Sequence, residues 1–188
     1  GKSFQVGKAA QSGVLAALMA QHGADGPEMV FESPKGIFPA LAGKPCDGPA
    51  IARDLGREFG LAGVYFKKHA ACRHIHAPLD AVAALMERQA LPLEAIEAIE
   101  VETYSVAQSL TGQVSAGDSA IGAKFSIPVA VSLLLVFGRT DDSVFAPRCI
   151  SDPRVQSLAR KVRVRTTPER DRVFPRQRGA LALALGVT

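Results

Sequence analysis

The stretch Lys67-Lys68-His69-Ala70-Ala71-Cys72-Arg73-His74-Ile75-His76-Ala77-Pro78-Leu79-Asp80 decides how the rest of the chain is read. It gathers three of the four histidines, one of the three cysteines and the fixed cations Lys67, Lys68 and Arg73. Beyond it, Leu79, Val82, Ala83, Leu85 and Met86 recur at helical spacing, and Pro78 suits a first helical turn, where its missing N–H costs nothing. His74 and His76 are therefore placed in the loop or N-cap just ahead of a helix. Partial positive charge at a helix N-terminus favours anions and holds a histidine toward its neutral, base-competent form. Arg73 adds a planar fork suited to carboxylate. No metal site is expected: Cys72, His74 and His76 are too tightly spaced for a structural zinc set, and no second ligand pair lies nearby. The bland alternative is a solvated basic loop.

Outward from this stretch, the 188 residues are enough for one good-sized domain or two small ones, and a hydrophobic content of 47% supports a real core. The net charge of +4 is uneven, with ten Lys/Arg residues between Arg148 and Arg178. They are spread over a helix end, a strand and a loop without interleaved aromatics, which argues against a nucleic-acid partner and for a solvated surface or subunit contact. Three distant cysteines point to reduced thiols and a cytoplasmic protein. The longest apolar run, Ile127 to Phe137, is too short for a bilayer, so no membrane partner is expected.

Before the central stretch, Lys2 to His22 reads as an Ala- and Gly-rich core helix stopped near Gly23, with Lys2 and Gln5 at its start. Short helical segments are expected between Gly26 and Gly43 and from Pro49 to Phe59, then extended chain from Leu61 to Lys67. After it, Pro92 to Glu97 reads as a helical turn and Ile99 to Tyr104 as a half-buried strand. Gln108 to Asp118 reads as a loop and Ala120 to Phe137 as a long apolar helix, with Lys124 and Ser126 at its Ala123–Pro128 entrance. Asp152 and Pro153 start a helix through Arg160. Lys161 to Arg165 and Ala180 to Leu185 read as strands antiparallel to each other, separated by a polar loop from Thr166 to Arg178. The chain opens directly on a patterned helix and closes in a strand, so both ends read as cuts through a larger fold.

Five segments in order carry a resemblance. They are Gly7-Lys8-Ala9-Ala10…Gly13-Val14-Leu15-Ala16-Ala17, Gly26-Pro27, Lys67…Cys72-Arg73-His74-Ile75-His76…Asp80-Ala81, Ala123-Lys124-Phe125-Ser126-Ile127-Pro128 and Asp152-Pro153-Arg154-Val155…Leu158…Lys161-Val162. Together they resemble the MmgE/PrpD family, which includes 2-methylcitrate dehydratase, cis-aconitate decarboxylase and iminodisuccinate epimerase. The resemblance implies an α+β chain: part of an all-helical domain (1–63), then a smaller α+β lid domain with a mainly antiparallel sheet (64–188), both incomplete. It also implies a homodimer that works without metal or cofactor on a small di- or tricarboxylate substrate.

Residue by residue, the resemblance gives Lys2 and His76 as catalytic, His76 moving the proton. Arg73, Cys72, His74, Lys124 and Ser126 are expected on the substrate side. Three positions depart from the family pattern. Gln5 stands where many members carry histidine, His69-Ala70 replaces an aromatic-Pro pair, and Val129 replaces a tyrosine whose phenol an isopropyl group cannot imitate. The chemistry shared by the family is proton transfer at a carbon alpha to a carboxylate, needing cations for the carboxylates and a base. The expected activity is therefore a hydro-lyase resembling 2-methylcitrate dehydratase. The alternatives are an epimerase of the iminodisuccinate type, or a non-catalytic fragment that dimerises or binds carboxylates.

Overall fold

The computed structural model describes residues 2–31, 33–44, 49, 52–113 and 119–185. The chain divides into two compact units, Gly1–Val64 and Tyr65–Thr188.

In the first unit, helix α1 spans Lys2–Gln21, α2 spans Ile37–Ala42 and a 3-10 turn spans Gly60–Gly63. Gly23 turns the chain after α1 with φ of 87°, a left-handed backbone that favours glycine. Phe31 stacks on Phe38 with ring centroids 5.3 Å apart. The expectation of a buried core helix fails at α1, where no residue is buried and Phe4, Val14, Leu15 and Met19 are exposed. Small and apolar residues all round α1 signal burial only when a second surface is there to cover them. Part of the Pro49–Phe59 segment lies outside the described residues, and 53–57 form turns rather than a helix.

The second unit carries the hydrophobic core. Its helices are α3 (His76–Arg88), α4 (Ser105–Thr111), α5 (Ala120–Ala123), α6 (Ile127–Phe137), α7 (Pro147–Ile150), α8 (Pro153–Lys161) and α9 (Pro168–Val173). Its strands are β1 (Ala98–Thr103), β2 (Val162–Thr166) and β3 (Leu181–Leu185). Helix α6 is the centre, with every residue from Ile127 to Leu135 buried, and it packs against α8, α3 and β2. On β1, Ile99, Val101 and Thr103 point inward, while Glu100 and Glu102 face Arg165 at 3.1 and 2.6 Å.

The class is α+β, and the sheet is mixed rather than mainly antiparallel. Its order is β2-β1-β3, with β1 parallel to β2 (Ile99 opposite Val162) and antiparallel to β3 (Glu100 opposite Leu183). The expected β2–β3 pair is not formed, because β1 lies between them. Apolar Ile99 and Val101 suit the doubly paired centre. The exposed Arg163 and Arg165 of β2 suit an edge, where charge discourages further pairing. Helices α4 to α8 form the crossover that a parallel β1–β2 pair needs.

The long helix expected from Ala120 to Phe137 is two helices. Lys124 and Phe125 turn the chain, Ser126 caps α6 by accepting from the Val129 N–H at 3.3 Å, and Pro128 sits in its first turn. The expected loops at 108–118 and 166–178 are partly helical, α4 in the first and α9 in the second, where Pro168 pre-sets a first turn. Residues 114–118 of the first loop lie outside the described residues.

Candidate functional site

The central stretch is fixed at three points. The Ala70 N–H donates to the Thr140 carbonyl at 2.9 Å, the Cys72 N–H donates to the Lys124 carbonyl at 2.8 Å, and Ile75 and Leu79 are fully buried. A 3-10 turn, Arg73–Ile75, runs straight into α3, which starts at His76 rather than Pro78. His76 is thus the first residue of the helix, not a loop residue.

His76 is 3% exposed, and its Nε2 has no hydrogen-bond partner among the described residues. Burial lowers its pKa to about 4, helped by the nearby charges of His69, Arg73 and Lys67 and opposed by a backbone hydrogen bond to Ala71. The direction agrees with the sequence expectation of a neutral imidazole. The main cause is loss of water rather than the helix end. The Arg73 Nε is also buried without a partner, and its guanidinium lies 5.0 Å from the Tyr65 ring centroid. Buried polar atoms are nearly always satisfied, so two orphan nitrogens in one turn make this turn the candidate site.

The other expected site residues are distributed as follows. His74 faces away from His76, as residues two apart on a helical turn do. Its Nδ1 is 2.6 Å from the Tyr104 hydroxyl, and Tyr104 is fully buried and stacked on Phe174 with centroids 4.5 Å apart. Burial raises the pKa of Tyr104. Cys72 is a buried free thiol behind the turn. The Lys124 ammonium is paired with Asp142 and lies 5.7 Å from the Phe145 ring centroid. The Ser126 hydroxyl donates to the Gln113 carbonyl at 2.7 Å while capping α6. Both side chains hold the α5–α6 corner. Lys2 is exposed at the start of α1, in the first unit.

Sequence reasoning gave no site role to Lys67, His69 or Tyr104. Lys67 donates to the Ala71 carbonyl at 3.2 Å and adds positive charge near His76. His69 is 4% exposed, with Nδ1 2.5 Å from Thr140 Oγ1 and Nε2 3.1 Å from Asp80 Oδ1. Its ring stands edge-on to His76 with centroids 5.0 Å apart. The clue to Lys67 and His69 was their place in the central stretch, whereas Tyr104 has no local signal because it reaches His74 through the tertiary fold.

Among the described residues no cluster of His, Cys, Asp or Glu could hold a metal ion, and no helix is long and apolar enough to cross a membrane. No curated protein matches the chain. The family model for the MmgE/PrpD C-terminal domain matches residues 69–186, from His69 through all three strands. A match over well over half of the chain shows the family: this protein belongs to MmgE/PrpD.

Proposed function

We propose that this chain serves a lyase that removes a proton alpha to a carboxylate of a small di- or tricarboxylate and then expels water. His76 is the base, and Arg73 is the cation that holds the neighbouring carboxylate. The observation that carries this reading is the buried, neutral, unpartnered Nε2 of His76 one turn from the buried, unpartnered Nε of Arg73.

The electrostatics support it in sequence. Burial, together with the nearby charges of Arg73 and Lys67, keeps the imidazole unprotonated, so it is ready to accept. A bound polycarboxylate brings opposite charge next to His76 and raises its proton affinity at the moment a proton must be taken. Arg73 then faces the carboxylate into which the new charge spreads. Lys67 adds to the positive field. Lys2 is kept as a second carboxylate-holding cation on the resemblance alone, and the homodimer likewise.

The test is a dehydratase and an epimerase assay on a panel of small polycarboxylates, with His76→Ala as control. Water loss in the parent and a drop of about a thousandfold or more in the variant is the expected result. Epimerisation without water loss would move the protein to an isomerase. Carboxylate binding without turnover would make the chain a binding module.

A further inference from the structure

Three segments far apart in the chain meet on the His74 side of the Arg73–Ile75 turn. The His74 Nδ1 lies 2.6 Å from the Tyr104 hydroxyl. Phe174 stacks on Tyr104 with ring centroids 4.5 Å apart, and the Arg178 guanidinium lies 6.0 Å from the Phe174 ring centroid. The segment that delivers Arg178 is pinned a second time, because Asp171 accepts from the Ser105 N–H at 2.7 Å and from the Ser105 hydroxyl at 2.6 Å. We propose that Arg178 is a further carboxylate-holding cation of the site, working with Arg73 on a ligand that carries more than one carboxylate.

Each carboxylate of a small polycarboxylate needs its own cation, and most cations of this unit are committed elsewhere. Lys68 is paired with Asp80, Lys124 with Asp142, Arg139 with Asp141, and Arg165 with Glu100 and Glu102. Lys67 donates to the Ala71 carbonyl. Among the described residues neither Arg73 nor Arg178 has a carboxylate partner. Each lies against an aromatic ring instead, Arg73 against Tyr65 and Arg178 against Phe174. Ring contact leaves guanidinium N–H groups available to clamp a carboxylate. Arg73 is common to both sides of the turn: its charge bears on His76 and on the Tyr104 phenol, and the charge of Arg178 bears on the same phenol. Arg178 is exposed, so a ligand held at Arg73 can reach it from solvent.

The proposal deepens the reading of this turn as a polycarboxylate site and rests on it, but its test reads binding rather than turnover. Citrate, which carries several carboxylates, and acetate, which carries a single one, are titrated by NMR into the parent, Arg73→Gln, Arg178→Gln, Arg178→Lys and Arg176→Gln proteins. Arg178→Gln is expected to weaken citrate about tenfold and to leave acetate within about twofold of the parent, because Arg73 satisfies a single carboxylate. Arg73→Gln is expected to weaken both ligands. Arg178→Lys keeps the charge without the fork and is expected to fall between parent and Arg178→Gln. Arg176→Gln removes the same charge from the same exposed segment and is expected to bind citrate as the parent does. Citrate binding by Arg178→Gln within about twofold of the parent, or equal weakening by Arg176→Gln, overturns the proposal and leaves Arg73 and His76 in their roles. Citrate that does not bind the parent overturns the proposal together with the reading of the turn on which it rests.

Discussion

His76 is an imidazole stripped of water and given no partner on Nε2, and this has a consequence for stability as well as for chemistry. Its folded pKa of about 4 lies below the ordinary value of 6.5. Between those two pH values the unfolded chain binds a proton that the folded chain refuses, so stability falls as pH falls through this window. Above pH 6.5 the group has no effect on the balance. Urea unfolding at pH 7 and pH 4.5 should show the parent losing about 2 kcal/mol more than His76→Gln, which has no proton to bind. Equal losses would mean that the imidazole is hydrated in the fold. At this scale the sequence was informative about residue types and silent about partners. Cys72, Arg73, His74 and His76 were recognisable as one loaded turn, yet their side chains go different ways. His76 and Arg73 carry the orphan nitrogens, while His74 is bound to Tyr104 from β1's far end, thirty residues on. Lys124 pairs with Asp142 and Ser126 caps α6, contacts that no local pattern announces.

The elements hold the site through their ends. Helix α6 stops at Gly138 with φ of 66°, and the next residues bring Thr140 to the His69 imidazole and the Ala70 amide. Gly138→Ala should cost about 1 kcal/mol in urea unfolding, because a Cβ is strained at that backbone angle although nothing nearby would touch it. Asp152→Ala should cost a similar amount, about 1 kcal/mol, by removing the acceptor for the Arg154 N–H at the start of α8. An unchanged midpoint in either variant would show that the cap is dispensable. Caps of this kind are also what the sequence made legible. Asp152-Pro153 and Gly138 marked helix boundaries within a residue, and the alternation of Ile99, Val101 and Thr103 marked β1. What could not be read was strand order. Nothing local in Val162–Thr166 or Leu181–Leu185 says that β1 separates them, since that depends on which strand the apolar faces of α3 and α6 select.

At the scale of the whole molecule, the two units differ in how they are held. Among the described residues every buried hydrophobic belongs to the second unit, from Ala71 to Ala182, and α1 leaves its large apolar side chains exposed. Hydrogen exchange on the 188-residue chain should therefore be slowest in α6 and β1 and fast along α1, with protection differing by several orders of magnitude. Comparable protection in α1 and α6 would show that α1 has found a partner, such as a second copy of the chain. The family match covers the second unit, the one with its own core and the one that holds the histidine pair. The most direct measurement of what that unit is for is solvent exchange: the purified protein is mixed with small polycarboxylates in deuterium oxide and the hydrogens alpha to the carboxylates are followed by NMR. If His76 removes such a proton, one substrate loses its alpha signal at a rate that His76→Gln lowers by about a thousandfold. Exchange that continues unchanged in His76→Gln, or no exchange with any polycarboxylate in the parent protein, would contradict the assignment of His76 as the base.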